Sequence, residues 1–167
     1  MSKFTLRAAA AALAGILIAI GGCAESPSGP AEQLQLLRTP LTPSFSRAGT
    51  SASAVIGAEG GTLQTATGHK IVFPAGALSQ PTRITMSTVP GYAGVNLEPH
   101  GIVFPATAQP VLTLDFAAAE VDGFSSFSIV YVDESGEIAE VLPTRTTGGL
   151  KLRANLQHFS GYIGAGH

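Results

Sequence analysis

The sequence has one cysteine, Cys23, no tryptophan and only three tyrosines. A single cysteine excludes a secreted scaffold held together by internal disulfides. The lack of tryptophan and the scarcity of tyrosine remove the usual aromatic platforms on which sugars and bases stack. Charged residues make up only 12% of the chain, and no run of lysine or arginine forms a basic patch. Nucleic acid is therefore not expected as a partner.

Motifs for metal binding and for turnover catalysis are also missing. The histidines do not have metal-ligand spacing, and no second cysteine can assist them, so we expect no metal site and no cofactor. No nucleophile elbow, zinc-protease motif or phosphate-binding loop occurs, and a turnover enzyme is not expected. For the acidic residues around a predicted hairpin, a solvated turn is a simpler interpretation than a weak calcium site. The residues considered are His69, His100, His158, His167, Asp133, Glu134, Glu137 and Glu140.

The first 22 residues have the pattern of a secretory signal peptide. Lys3 and Arg7 precede a short apolar run that ends at Ile20, and such a run is too short for a convincing permanent span. Ile20-Gly21-Gly22-Cys23 resembles the bacterial lipobox, whose cysteine is acylated and becomes the new N-terminus. The alternative is an ordinary signal peptide with a chance cysteine. Removal of residues 1–22 leaves seven basic and eleven acidic residues, a formal net charge of −4.

The lipobox resemblance implies a membrane address. Acyl chains such as palmitate on Cys23 would anchor the chain stably to a bilayer. The next residue is Ala24 rather than aspartate, which by resemblance to lipoprotein sorting favours the outer membrane. We therefore expect a bacterial cell-envelope protein that contacts the membrane through its lipid.

Residues 23–52 are predicted to form a flexible tether behind the acylated cysteine. Pro27, Pro30, Pro40 and Pro43 lie there among Ser, Gln and Ala, a composition typical of linkers. Leu34, Leu36 and Leu37 could form a short helical turn at most. The folded domain is predicted to occupy residues 53–167.

A repeated pentapeptide organises this domain. Ile71-Val72-Phe73-Pro74-Ala75 returns as Ile102-Val103-Phe104-Pro105-Ala106. Each copy is interpreted as an apolar strand ended by proline, which cannot continue a central ladder, and each phenylalanine is expected in the core.

Several later segments have the period-two alternation of strands. They are bounded by Gly- and Pro-rich turns, and the sequence predicts an all-β, antiparallel sandwich of short strands behind the signal peptide and the disordered tether. Phe127–Asp133 is apolar on both faces and is expected to be central. Glu134-Ser135-Gly136-Glu137 predicts a hairpin. Ile138–Leu142 follows this hairpin, and the other alternating segments are Thr82–Val89, Val111–Phe116 and Leu150–Leu156.

Five sequence blocks in order resemble the ZU-five domain of ankyrins, netrin receptors and the death-domain protein PIDD, in its bacterial surface form. The resemblance covers about residues 53–164. It implies a β-sandwich that serves as an interaction and anchoring module. The blocks are Gly57-Ala58-Glu59-Gly60-Gly61-Thr62-Leu63, Val72-Phe73-Pro74-Ala75-Gly76-Ala77-Leu78, Glu98-Pro99-His100-Gly101-Ile102-Val103-Phe104, Gln109-Pro110-Val111-Leu112-Thr113-Leu114 and His158-Phe159-Ser160-Gly161-Tyr162.

The tripeptide His158-Phe159-Ser160 is the one candidate for chemistry. In PIDD a His-Phe-Ser at a strand end in this kind of domain is a self-cleavage site. By resemblance, His158 would act as general base on Ser160, whose hydroxyl would attack the Phe159 carbonyl carbon in an N-to-O acyl shift, and water would then hydrolyse the resulting ester. The reaction needs a strained peptide. The alternation changes phase near Gln157-His158, which predicts a bulge or bend there. The simpler interpretation is that these residues are structural, with Phe159 in the core.

Two functions follow from these observations. The favoured one is a membrane-tethered envelope lipoprotein whose sandwich is a binding or structural interaction module, with an envelope protein of unknown identity as partner. The alternative is a protein that cleaves its own Phe159–Ser160 bond. No catalytic residue is favoured beyond that alternative.

Overall fold

The computed structural model describes residues 34–40 and 51–167. Two antiparallel sheets pack face to face as a sandwich, which confirms the predicted fold class. The strands are β1 Gln35–Leu36, β2 Ser51–Ile56, β3 Gly61–Gln64, β4 Lys70–Phe73, β5 Thr82–Thr88, β6 Gly94–Glu98, β7 Val111–Asp115, β8 Phe127–Val132, β9 Ile138–Leu142, β10 Thr144–Thr146, β11 Lys151–Asn155 and β12 Gly161–Gly166.

The seven-stranded sheet has the order β2-β5-β6-β12-β8-β9, and β1 pairs with β12 beside this path. The central position predicted for residues 127–133 is confirmed, because β8 lies between β12 and β9. The predicted hairpin joins β8 to β9, and Gly136 in its turn has a φ of 86°, a conformation that glycine adopts without steric cost. The bounds of β5 agree closely with the alternating segment Thr82–Val89, and those of β9 agree with the segment predicted to follow the hairpin.

The five-stranded sheet has the order β10-β11-β7-β4-β3. The alternation predicted for β7 and β11 is confirmed. One set of side chains faces the other sheet, and the set between them faces solvent. The inward set forms most of one core with the facing residues of β5, β6 and β12. The inward residues of this sheet are Leu63, Ile71, Phe73, Leu112, Leu114, Leu152 and Ala154.

The two copies of the pentapeptide do not form the same structure. The first copy is β4, paired with β3 and β7. The second makes only an isolated bridge between Val103 and His158, so the prediction of a second strand is wrong. The reason is that no neighbouring strand continues the ladder beside it. Both phenylalanines are nevertheless buried, as predicted, with Phe73 3% and Phe104 5% exposed.

The predicted tether is wrong for residues 34–40, and β2 begins at Ser51, inside the tether range. β1 pairs with the last residues of β12, where β6 no longer does. Leu37 is fully buried, its N–H donates to the Gly164 carbonyl (2.8 Å), and its carbonyl accepts from Ala93 N–H (2.9 Å). The proline-rich composition predicted a linker across this segment. The prediction fails because burial of one leucine side chain in the core outweighs local composition.

Gly164 makes room for this insertion. A Cβ built at that residue would lie 2.5 Å from the Phe116 ring and 3.1 Å from Leu37. Glycine is therefore required in the middle of β12, where it usually marks a close approach.

The predicted signal peptide and Cys23 lie outside the described residues. Within residues 34–40 and 51–167, no helix has the length and hydropathy needed to cross a bilayer.

Candidate functional site

The His158-Phe159-Ser160 tripeptide lies where the chain crosses between the two sheets. β11 belongs to the five-stranded sheet, whereas β12 pairs with β6 and β8 in the seven-stranded sheet. Leu156 and Phe159 are both buried, since they reach the same core from opposite sheets. The bend predicted from the phase change is confirmed, and the sheet crossover is its cause.

Phe159 closes one end of the sandwich. Its ring centroid lies 5.0 Å from that of Phe104 and 5.9 Å from that of Phe73, in edge-to-face contacts. The two pentapeptide copies also touch each other here, with ring centroids 6.3 Å apart. Such aromatic pairs add stability beyond the area that they bury, so this cluster fixes the crossover in place.

The His158 ring has a polar neighbour near each nitrogen. The Tyr162 hydroxyl donates to the His158 carbonyl (2.6 Å) and lies 3.3 Å from Nδ1. Since that hydroxyl has only one hydrogen, which it donates to the carbonyl, it can interact with Nδ1 only as an acceptor. Nε2 lies 3.7 Å from a Glu140 carboxylate oxygen, and the ring packs edge-to-face on Tyr131 at 5.1 Å.

Tyr162 is the buried support of this arrangement. The side chain is 1% exposed. Burial raises the pKa of the Tyr162 hydroxyl well above its usual value, and the charge of Glu140 acts in the same direction. The hydroxyl therefore stays protonated and keeps its donor role toward the His158 carbonyl.

The Phe159–Ser160 bond is held by backbone hydrogen bonds on both sides. Phe159 N–H donates to the Ile102 carbonyl (2.9 Å), and the Ser160 carbonyl accepts from Leu97 N–H (3.1 Å). The Gly101 N–H lies 3.5 Å from the Phe159 carbonyl oxygen, where an attack by Ser160 would develop negative charge. Among the described residues, neither nitrogen of His158 hydrogen-bonds to the Ser160 hydroxyl.

A cleft of about 660 Å³ lies beside the tripeptide. Asn96, His100, Tyr131 and Asp133 contribute to its walls together with His158. His100 Nε2 and Asn96 Oδ1 are 3.0 Å apart. The two histidines thus line one cleft, but His100 contacts Asn96 and His158 contacts Tyr162.

The other chemistry-bearing residues are dispersed. His69 is 4% exposed, and its Nδ1 accepts from Asp115 N–H (3.1 Å). Burial lowers the pKa of His69 to about 4, against a smaller opposing effect of Asp115. His167 contacts the Ser126 hydroxyl. Within the described ranges, no three His, Cys, Asp or Glu side chains come together as metal ligands would.

The acidic hairpin uses its first carboxylate to build its own turn. One Asp133 oxygen accepts from Ser135 N–H (2.8 Å), from the Ser135 hydroxyl (2.5 Å) and from Glu137 N–H (3.1 Å). The Ser135 hydroxyl and then the Glu137 N–H hold the pKa of Asp133 below its ordinary value. This is a self-capped Asx turn.

The outer face of the five-stranded sheet carries a basic row that we missed from the sequence. Arg145 on β10 lies opposite Arg153 on β11, Arg153 lies opposite Thr113 on β7, and Thr113 lies opposite Lys70 on β4. We call Arg145, Arg153 and Lys70 the cationic row. Cross-strand register joins these residues, which are too far apart in the chain for any spacing rule to detect.

In comparisons with known proteins, no protein-family model and no curated protein matched this chain.

Proposed function

We propose that this protein is a lipid-anchored protein of the bacterial envelope, whose ZU-five-like sandwich acts as a binding or structural interaction module. The proposal combines the lipobox-like Cys23 with one structural observation, the incorporation of residues 35–39 into the sandwich. Roughly a dozen residues separate Cys23 from Gln35, and they reach at most about 40 Å when extended. An acylated Cys23 would therefore hold the sandwich near a membrane surface.

The attachment point suits a module that bears load. β1 pairs with β12, which itself lies inside the seven-stranded sheet between β6 and β8. Arg38 extends the attachment, since its carbonyl accepts from Glu120 N–H (2.8 Å) and its guanidinium lies 5.6 Å from the Tyr92 ring centroid. Tension along the N-terminal segment would enter the fold at a central strand rather than at a frayed edge.

The test is detergent-phase partitioning of the whole chain expressed in a bacterial host. We expect the wild type in the detergent phase and Cys23→Ser in the aqueous phase, because acylation requires the thiol. Ala24→Ser keeps the cysteine and serves as the matched control, which should partition as the wild type does. If Cys23→Ser stays in the detergent phase unchanged, the lipid anchor is wrong.

The interaction module has a separate test. Crosslinking in intact envelopes should recover a specific partner with the wild type. Failure to recover any partner above background would count against this half of the proposal while leaving the anchor intact.

Self-cleavage remains a second candidate because of one contact, the Gly101 N–H directed at the Phe159 carbonyl oxygen at 3.5 Å. This donor would stabilise the oxyanion of an acyl shift. Against it, His158 contacts Tyr162 and Glu140 rather than Ser160. Self-cleavage would require the imidazole to turn toward the serine hydroxyl.

A further inference from the structure

The outer face of the five-stranded sheet separates charges in an unusual way. Its solvent-facing register positions include four basic side chains, those of the cationic row and Lys151, and one acidic side chain, Asp115. Lys151 Nζ lies 3.1 Å from an Asp115 carboxylate oxygen, so these two neutralise each other. Among the described residues, no carboxylate lies within ion-pair distance of the remaining three cations.

The arginine pair costs stability as it stands. Arg145 and Arg153 are directly opposite on antiparallel strands, and like charges in that position destabilise a sheet. Both side chains are exposed. An uncompensated like-charge pair of this kind is relieved when an anion binds between the two guanidinium groups, each of which can form a two-pronged contact with a carboxylate or phosphate.

A groove of about 560 Å³ lies along the same pair. Beside Arg145 and Arg153, the residues that line it include the polar Gln109, Thr147, Asn155 and Gln157 and the apolar Val111, Pro143 and Ala154. Amides and hydroxyls of this kind donate to and accept from hydroxyl groups of a ligand. No aromatic side chain lines the groove, so a ligand there would be held by charge and hydrogen bonds and not by stacking of bases or sugar rings.

The row continues beyond the groove. Adjacent strands are about 4.8 Å apart, so the three steps from β10 to β4 place the Lys70 position about 14 Å from Arg145 across the sheet. The arginine pair and Lys70, two strands beyond it, thus form two separated positive positions, which suits a ligand with separated charges. The chain as a whole is acidic, with a formal charge of −2, and it would repel the dense phosphates of a nucleic acid more strongly than a sparsely charged ligand.

From these observations we propose that the cationic row and its groove bind an anionic oligosaccharide, a run of sugars that carry carboxylates or phosphates. The guanidinium groups of Arg145 and Arg153 contact one acidic group, the groove amides contact sugar hydroxyls, and Lys70 contacts a second acidic group. This inference rests on the proposed interaction module and gives that module a ligand class. A flat anionic bilayer would not use the groove amides, which is why the carbohydrate is favoured.

The experiment measures binding of a defined oligogalacturonate to the purified whole chain in a non-ionic detergent. A neutral malto-oligosaccharide of matched length controls for sugar without charge, and a phosphorylated oligosaccharide tests the second acidic group. We expect both anionic sugars to bind and the neutral sugar not to bind. Arg145→Gln and Arg153→Gln should each weaken binding about tenfold or more, since each removes a charge-assisted contact. Lys70→Gln should weaken it by less.

The matched control is Arg83→Gln. Arg83 is an exposed arginine on β5 in the other sheet, and its removal should leave the dissociation constant unchanged. Thermal melting shows whether a variant loses binding because it is unfolded. Arg153→Gln relieves a like-charge pair, so this variant should melt at the same temperature as the wild type or higher.

Three results would overturn the proposal. They are equal binding of neutral and anionic sugars, anionic binding that is insensitive to Arg145→Gln and Arg153→Gln, and tighter binding of phosphatidylglycerol vesicles or a single-stranded oligonucleotide than of either acidic sugar. The arginine and lysine variants keep Cys23 and should still partition into the detergent phase. A failure of sugar binding is therefore distinguishable from a failure of the membrane anchor.

Discussion

The two copies of the pentapeptide show how far identical residues can differ in structure. Each copy is also preceded by a histidine two residues earlier, His69 in the first and His100 in the second. In the first copy the histidine is buried and the apolar residues form a strand paired on both sides. In the second the histidine is exposed, and the chain makes one bridge to the crossover corner. The phenylalanine and the turn after it are alike in both copies, since Ala77 N–H donates to the Pro74 carbonyl and Ala108 N–H donates to the Pro105 carbonyl.

The difference teaches that the repeat encodes a core anchor and leaves pairing to the surroundings. The phenylalanine is held by apolar burial and by the rings of its neighbours, which do not depend on strand geometry. Strand formation needs partners in register, and only the first copy has them on both sides.

The largest effect is expected at the shared anchor. Phe73→Ala and Phe104→Ala should each lower the free energy of unfolding by about 3–5 kcal/mol, because each leaves a cavity in the cluster around Phe159. Such a loss is a large share of a typical total, so both variants should be partly unfolded in urea titrations. If one variant melts as the wild type does, the two anchors are not equivalent.

The next effect distinguishes the histidines. Burial lowers the pKa of His69 to about 4 from 6.5, so between these values the unfolded chain binds a proton that the folded chain does not. Stability is therefore complete above pH about 6.5 and is lost as pH falls toward about 4, by on the order of 3 kcal/mol. Urea unfolding as a function of pH measures this.

His69→Gln should flatten that part of the pH dependence, and His100→Gln is the matched control because His100 is exposed. The control should lose stability on acidification as the wild type does. A His69→Gln variant with the same acid loss as the wild type would show that carboxylates, and not this histidine, carry the effect.

These contrasts also mark what the sequence could predict. Alternation identified β5, β7 and β11 because each has one face on the core, and that pattern is local, whereas β8 was identified by apolar residues on both of its faces. It failed at Val103, whose bridge partner His158 lies more than fifty residues away, and at Leu37, whose burial depends on space beside Gly164.

The candidate site was predictable in the same partial way. The bend at His158 was visible as a phase change, whereas the contacts of its ring with Tyr162 and Glu140 were not. The cationic row was invisible for the same reason, since Lys70, Arg145 and Arg153 meet only through the order of the strands.

A smaller difference in stability is expected between substitutions of Val72 and Val103, the equivalent valines of the two copies. Val72 faces the outer surface of the five-stranded sheet opposite Thr62 and Val111, whereas Val103 is 77% exposed. Val72→Thr should cost up to about 1 kcal/mol through its lost apolar cross-strand contact. Val103→Thr should change the free energy of unfolding by no more than about 0.5 kcal/mol. Equal costs in thermal melts would mean that the second copy is more tightly packed than the bridge indicates.

The smallest effect concerns the bond that the second copy secures. We predict that Phe159–Ser160 stays largely intact, so that the wild type and Ser160→Ala have intact masses that differ only by the substitution. Ile102 accepts the Phe159 N–H, Leu97 N–H donates to the Ser160 carbonyl, and His158 has Tyr162 and Glu140 as partners. The bond is therefore held in regular hydrogen bonding, without a base placed on the serine.

Cleavage would also remove support from the fold. The released residues 160–167 include β12, which pairs with β6, β8 and β1, so loss of that strand would leave the edges of its neighbours exposed to aggregation. The measurement is the intact mass of purified protein after prolonged incubation, with His158→Gln beside Ser160→Ala. If the wild type splits between Phe159 and Ser160 under native conditions and both variants stay whole, Ser160 is a nucleophile with His158 as its base, and the Gly101 N–H takes the role of oxyanion donor.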